Sequence, residues 1–519
     1  MKNNLALPIG IQSFKEIRTN NYLYVDKTEQ IFKLVESGKF YFLSRPRRFG
    51  KSLLVSTIDS FFSGKKELFS GLKIEKLEKE WKSYPVFYFD FGGKEYKTRK
   101  DLEKKLYNIL ENLKKEYGLT SSETSPELMF SDLIKDAAEK YGKNVVVLVD
   151  EYDKALLETI DNKSENENCR SLLRGFLGVL KPCDSYLKFV LITGVTKFSK
   201  VSIFSDLNQL NDISLSPSAQ DICGITQAEL ENYFSYEIKK LASSNDISES
   251  ECLKSLKDKY DGYHFSKELI DVYNPYSILK TFSDSFFGTY WFETGTPTFL
   301  IKQLEQNNFD LYNFSDGVEY SISTLMNKSD ADFDIVQLLY QTGYITIKGW
   351  NKELNTFTLK YPNHEVEYSF LSVLMPSFLK QNQRTSDFWI REFYRDIKDG
   401  NIDSFMTRLK SIVASVPYST DKRPSEHDFQ ITIYLIFTLL GQFTTAESYT
   451  NKGRIDCVIE TSNIIYLFEF KVDESAQVAL NQIIYKNYDE KYSSSKKKIV
   501  KIGASFDSTT KSLSKWIFE

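Results

Sequence analysis

The sequence predicts an α/β protein in three parts. A parallel sheet with flanking helices occupies residues 1–225, a mostly helical region 226–424, and a smaller α/β module 425–519. Three observations carry that reading. Apolar strand-like runs alternate with helical spacing as far as about Ser216, the pattern of parallel strands joined by crossovers. From about Thr226 to Val416 helical spacing dominates. From about Ser425 the order becomes helix, strand, strand, helix, strand. At 519 residues the chain also exceeds one hydrophobic core, since cores stop growing near ~250–300 residues.

Phe40 to Leu43 is a short aromatic and aliphatic strand, and Leu53 to Phe62 continues as helix. Val86 to Phe91 is the next strand. Leu102 to Tyr117 and Glu127 to Tyr141 space their apolar residues as helices do. Val145 to Val149 is an unbroken apolar run, as expected of a strand buried on both faces. Cys169 to Leu180 reads as helix and Phe189 to Ile192 as another buried strand. In the middle region, Gly343 to Lys348 and Phe357 to Phe370 alternate like short strands. The last part begins with a helix, Glu426 to Leu440. Paired strands follow at Arg454 to Glu460 and Ile464 to Val472, joined by Thr461-Ser462-Asn463. A helix from about Glu474 to Tyr488 and a strand from Ile499 to Ser505 complete it.

Composition narrows the chemistry. Hydrophobic residues at 41% and charged residues at 27% describe a folded chain rather than a disordered one. A net charge of -4 excludes coating nucleic acid by bulk charge, so phosphate contacts must come from local patches. The three histidines, His264, His364 and His427, are too few for a His-rich metal centre, and no H-E-x-x-H occurs. The five cysteines form no C-x-x-C pair, which reads as reduced cytosolic thiols. Any metal must then be held by carboxylates, which favours Mg²⁺ or Mn²⁺. No secretory signal is visible at the N-terminus. The most apolar stretch, Ile431 to Leu440, is shorter than the ~20 residues of a membrane span. The expectation is a cytoplasmic protein without a membrane partner.

Ser44-Arg45-Pro46-Arg47-Arg48-Phe49-Gly50-Lys51-Ser52 follows a strand and opens a helix, the context of a phosphate-binding P-loop. Backbone N–H groups of Arg47, Arg48, Phe49 and Gly50 would face a polyphosphate at the positive end of the helix dipole. Lys51 would reach the β- and γ-phosphates, and Ser52 would hold Mg²⁺. Arg45 stands where the usual pattern has its first glycine, and Pro46 removes a donor. The same residues are compatible with a basic helix start at a surface turn. The strand Val145 to Val149 ends in Asp150-Glu151, where the first acid could hold Mg²⁺ and the second polarise the attacking water. An acidic helix cap is the alternative for that run. Thr193, after Phe189 to Ile192, is placed to sense the γ-phosphate or simply to end its strand.

These residues resemble the signature of bacterial AAA-ATPase-like proteins. The likeness includes Ser44 to Leu53, Leu7 to Ile11, Tyr24 to Thr28, Asp150 to Asp153 and Thr193 to Val195. It continues through Tyr260 to Tyr263, Thr294 to Pro297 and Tyr340 to Tyr344. The resemblance implies a P-loop NTPase fold that binds ATP, and in it the arginine at the first glycine position is part of the family's own pattern.

Near the C-terminus, Arg454-Ile455-Asp456 lies on one strand and Glu469-Phe470-Lys471 on the next. Residues i and i+2 share a strand face, so Glu469 and Lys471 point together, and antiparallel pairing can bring Asp456 beside them. Two carboxylates and an ammonium in one place suit phosphodiester hydrolysis, with Asp456 and Glu469 holding one or two Mg²⁺ or Mn²⁺ ions and Lys471 orienting or deprotonating a water. Glu447, and less so Glu426, could add a ligand, and Gln482 could position Lys471 or the substrate. This arrangement resembles the PD-(D/E)XK nuclease superfamily, which implies a restriction-endonuclease-like domain over roughly the last 95 residues. The first motif reads Ile455-Asp456 rather than Pro-Asp. The expected function is an ATPase coupled to a metal-dependent nuclease acting on DNA, with RNA as the second substrate class. The alternative is a nucleotide-dependent switch whose nuclease-like domain only binds nucleic acid or a protein. ATP-driven protein remodelling is a third reading. The sequence leaves room for a homo-oligomer.

Overall fold

A computed structural model describes residues 5–196, 203–204, 207–291, 317–326, 334–378, 383–415, 426–441, 445–448, 456–493 and 495–519. The chain divides into two compact units, Met1–Glu293 with Asp316–Glu365, and Thr294–Ser315 with Val366–Glu519.

The first unit is built on a five-stranded parallel sheet of β1 (Phe40–Ser44), β2 (Val86–Asp90), β3 (Val145–Asp150), β4 (Leu187–Gly194) and β5 (Asn211–Asp212), in the order β2-β3-β4-β1-β5. Every residue of β3 is buried, as its unbroken apolar run demands. Helices Lys51–Phe62, Arg99–Tyr117, Pro126–Tyr141 and Lys163–Gly178 belong to this sheet. Thr98 and Asp101 form a capping box at the start of the second of these helices, and Gly118 closes it at φ 60°. Phe130 stacks on Phe176 at 4.6 Å, with Phe89 of β2 edge-on to both.

Sequence and structure differ at several points. The helix expected from Cys169 starts at Lys163. Its first turns, Lys163-Ser-Glu-Asn-Glu-Asn, carry no apolar spacing, but the Asn162 side chain caps them through the Glu165 amide. The run Phe357 to Phe370 is strand only in its first part, β8 (Thr356–Lys360), and helix from His364 to Phe378. Val366, Phe370, Leu371 and Leu374 are all buried at helical spacing, so the helix period wins after Pro362. β8 pairs with β6 (Val318–Ser321) and β7 (Thr346–Asn351) in a small antiparallel sheet.

The second unit holds a five-stranded mixed sheet, ordered β13-β12-β11-β10-β9. Its strands are β9 (Thr445–Ser448), β10 (Cys457–Glu460), β11 (Ile464–Val472), β12 (Lys498–Asp507) and β13 (Ser512–Phe518). β11 and β12 are parallel and joined through the helix Ala476–Tyr485, while the other pairs are antiparallel. Helices Ile402–Ser415 and Glu426–Leu440 contribute Phe405 and Phe437, which pack on Phe468 of β11. β9 and β13 were not expected: β9 (Thr-Ala-Glu-Ser) has no apolar alternation, and in β13 the apolar residues cluster as Trp516-Ile517-Phe518 instead of alternating. Arg454 and Ile455 lie outside the described residues. Among those described, no helix is long and apolar enough to cross a membrane.

Candidate functional site

The loop between β1 and its helix is shaped by two left-handed residues, Arg48 (φ 69°) and Gly50 (φ 89°). Gly50 accepts that conformation without strain and faces open space where a Cβ would stand. Lys51 opens the helix. Its side chain is buried, and Nζ donates to the carbonyls of Arg45 (2.8 Å) and Pro46 (3.0 Å). Burial lowers the Lys51 pKa, opposed by the field of Asp150, Asp153 and Glu151. Ser52 is half-buried in the first helical turn and Arg47 is exposed.

β4 lies between β1 and β3, so Thr193 stands between the loop and the acidic strand end. Val86–Asp90 precedes the acidic strand in the chain but lies at the sheet edge. The Thr193 hydroxyl donates to Asp150 Oδ1 at 2.5 Å. Glu151 follows at φ 53°, and burial together with Asp150 raises its pKa. Lys51, Asp150, Glu151 and Thr193 are thus brought to one end of the sheet. Asp153 stands at the N-cap position of the helix Lys154–Glu158, but its side chain makes no capping hydrogen bond. It is buried and accepts from the Val195 amide (3.0 Å) and the Thr196 hydroxyl (2.6 Å), locking the segment after β4.

The sequence marks Arg45 as unusual without revealing its work. Its buried guanidinium donates to Ser44 O and Ser214 O (both 2.8 Å) and Ala219 O (2.7 Å), and lies 4.2 Å over the Phe265 ring. Phe49 is buried against Tyr263 (4.8 Å) and Phe265 (5.3 Å), so only its backbone is available to a ligand. Arg48 lies 3.8 Å over Tyr276. A Cβ on Gly343 would fall 2.6 Å from Pro46 Cβ, and the Tyr263 hydroxyl donates to Gly343 O at 3.0 Å. The scattered motifs around Tyr263 and Gly343 therefore form the wall that braces the loop. We expect Arg45→Ala to destabilise this unit by about 3 kcal/mol, because it strands buried carbonyls and opens a void against Phe265. Denaturant unfolding measures this.

A cavity of about 110 Å³ opens beside Gly50, lined largely by apolar side chains including Leu23, Val25, Leu54 and Ile225, and by Lys27. Lys27 is held by Glu229 at 2.6 Å.

In the second unit the pairing of Cys457 with Phe468 carries Asp456 to the level of Glu469, and the Phe470 amide donates to Asp456 Oδ2 at 2.8 Å. Glu469 is 1% exposed. Its Oε1 accepts from Lys471 Nζ at 3.1 Å and from the Gln482 amide. Its Oε2 is buried with no hydrogen-bond partner. Burial raises the Glu469 pKa, against the lowering pull of Lys471, the Asp456 backbone amide and Gln482. The helix that supplies Gln482 sits tightly on β12, since a Cβ on Gly503 would lie 2.4 Å from Ala476 O and Leu480 N. Asp456, Glu469, Lys471 and Gln482 converge. Glu447 lies on β9 opposite Val458, across the neighbouring strand from that cluster. Its side chain and that of Glu426 are outside the described residues. Among described residues no three His, Cys, Asp or Glu side chains form a ready metal cluster. The buried, unpartnered Glu469 oxygen beside Asp456 nevertheless fits a divalent cation with oxygen ligands.

Residues 8–204 match the family described as "Predicted AAA-ATPase", and residues 424–516 match the PD-(D/E)XK nuclease superfamily. The chain is also 34% identical over 526 residues to a protein of Azotobacter chroococcum mcd 1 described as "Uncharacterized protein in vnfD 5'region", across 99% of this chain and 98% of that protein. The chain belongs to the AAA-ATPase-like family. In this member the AAA-ATPase-like domain is fused to a PD-(D/E)XK nuclease-superfamily domain. No solved structure matches it. The AAA-ATPase-like match ends at residue 204, so the bracing residues Phe265, Tyr263 and Gly343 lie beyond it.

Proposed function

We propose that this protein is an ATP-controlled, metal-dependent nuclease that cleaves DNA phosphodiester bonds. The observation that carries the nuclease half is the buried, unpartnered Oε2 of Glu469, beside Asp456 and Lys471. A buried acceptor left unsatisfied costs roughly 1–3 kcal/mol, which a bound cation would offset. Asp456 and Glu469, with Glu447 from β9, would hold Mg²⁺ or Mn²⁺. Such an ion lowers the pKa of its bound water and neutralises charge on the phosphate. Lys471 would orient or deprotonate the nucleophilic water, and Gln482 holds Glu469 in place.

In the first unit Lys51 would exchange the two loop carbonyls for the β- and γ-phosphates of ATP. Amides of Arg47, Arg48, Phe49 and Gly50 would cradle them, and Ser52 and Asp150 would hold Mg²⁺. Glu151 would polarise the attacking water, with Thr193 fixing Asp150 and facing the γ-phosphate. The apolar cavity beside Gly50 suits the nucleobase. DNA is the proposed substrate and RNA the second class; the proposal places the protein in the cytoplasm and leaves room for a homo-oligomer.

The test is incubation of the purified protein with linear and circular DNA, Mg²⁺ or Mn²⁺, with and without ATP. We expect cleavage that needs the metal and changes with ATP. DNA bound but never cut would replace this reading with the nucleotide-dependent switch.

A further inference from the structure

The chain leaves the first unit twice, after Glu293 and after Glu365. One hydrogen-bonded cluster inside that unit ties both departures to the phosphate loop. Tyr290 and Trp291 are the last described residues before the first departure. Arg48 of the loop donates through Nη1 to Tyr290 O at 2.5 Å and, at 3.4 Å, to Trp291 O. The amides of the same two residues donate to Glu365 Oε1, at 2.6 Å from Tyr290 and 3.1 Å from Trp291. Glu365 is 1% exposed. It lies in the first turn of the helix His364–Phe378, which begins in the first unit and continues in the second.

The strap Tyr290–Trp291 is fixed just upstream, where the Tyr260 hydroxyl donates to Gly288 O at 2.8 Å and Lys259 Nζ donates to Phe287 O. A displacement at the strap therefore passes forward along the chain. Trp291 Nε1 also donates to the Tyr263 hydroxyl at 3.0 Å, in the wall that braces the loop. Arg48 binds the strap through neutral carbonyls. A polyphosphate on the same loop offers it anionic oxygens, and an arginine–phosphate pair, charged on both sides and open to bidentate contact, is the stronger bond. Nucleotide thus competes with the strap for Arg48, and such a difference in contacts is what a ligand needs to shift a conformational equilibrium.

We propose that Arg48 and Glu365 form a latch on the strap Tyr290–Trp291, through which ATP at the loop acts on the second unit. This rests on the ATP-controlled reading of the protein and adds the route of control. The contacts above are the closed latch, and ATP opens it. Arg48 turns to the phosphates, the strap carbonyls are released, and the strap amides part from Glu365 at the start of the helix His364–Phe378.

Hydrogen exchange read by mass spectrometry on the full chain, with and without ATP·Mg²⁺, tests this. In wild type, ATP should speed exchange of the Tyr290 and Trp291 amides and of the first turns of the helix His364–Phe378. The expected change is about 5- to 150-fold, the usual range of coupling between sites. Glu365→Leu fills similar space without an acceptor. There the strap should exchange fast before ATP is added, and the helix should no longer respond to it. Glu365→Gln keeps an oxygen for both amides and should respond as wild type does. Both variants should keep the ATP-dependent rise in Tm, because Glu365 bonds to the strap and not to the loop. Strap exchange that ATP leaves unchanged or slows in wild type overturns the latch. So does a helix response that survives in Glu365→Leu or is lost in Glu365→Gln, or a Tm rise lost in both variants. If Glu365→Leu does not fold, the wild-type and Glu365→Gln measurements decide. Wild type whose Tm does not rise with ATP·Mg²⁺ overturns the ATP reading itself, and the latch with it.

Discussion

Lys51→Ala is expected to remove most of the stabilisation by ATP while leaving the unliganded fold intact. The Lys51 ammonium is buried, and its two hydrogen bonds go to neutral carbonyls of its own loop. Those bonds do not fully repay its desolvation, which is why its pKa is lowered. A triphosphate is the partner that would. Losing one side of a buried charge pair costs roughly 2–5 kcal/mol, so affinity should fall by about 100-fold or more. At ATP near 100 times its Kd, wild type gains ~2.7 kcal/mol of stability, and a variant binding 100-fold more weakly gains only ~0.4 kcal/mol. A thermal melt with and without ATP·Mg²⁺ separates these outcomes. A variant that keeps the full ATP-dependent rise in Tm, or hydrolyses ATP at the wild-type rate, removes the P-loop assignment.

Glu469→Gln should reduce metal-dependent DNA cleavage by about 100-fold or more, equivalent to ~2.7 kcal/mol of barrier. Glutamine keeps the shape and one acceptor for Lys471 and Gln482, but loses the anionic Oε2. The protein should be no less stable without metal, because the variant removes a buried charge. The pH behaviour follows from the same burial. The Glu469 pKa is raised above its ordinary value, so a proton competes with the cation for Oε2. Metal affinity should fall as pH drops through that raised pKa, and this dependence should vanish in Glu469→Gln. For metal-free folding the sign is opposite. A carboxyl with a raised folded pKa lends stability below its unfolded pKa and loses it as pH rises through the folded one. At neutral pH the ionised group is therefore a burden on the metal-free fold.

Much of both sites was legible because it depends on local pattern. The apolar run ending in Asp150, the turn into Lys51 and the i, i+2 relation of Glu469 and Lys471 need no knowledge of distant residues. Hairpin register then carries Asp456 to Glu469. The rest depends on partners far along the chain. β4 rather than β2 separates β1 from β3, and no local signal encodes sheet order. Arg45 is visible as an exception to a glycine pattern, but its acceptors are 169 and 174 residues away. Asp153 reads as a helix cap until the fold brings Val195 and Thr196 to it. The helix at His364 was obscured because a strand and a helix meet in one stretch whose residues alternate.

The most direct measurement is a crystal structure with Mn²⁺ and a non-hydrolysable ATP analogue, read by anomalous scattering. The expected result is one Mn²⁺ beside Ser52 and Asp150 with the phosphates on Lys51, and another within ~2.2 Å of the Glu469 carboxylate on the Asp456 side. Saturating Mn²⁺ and nucleotide with no anomalous density at Glu469, and Lys51 still on its loop carbonyls, would contradict both halves of the proposal.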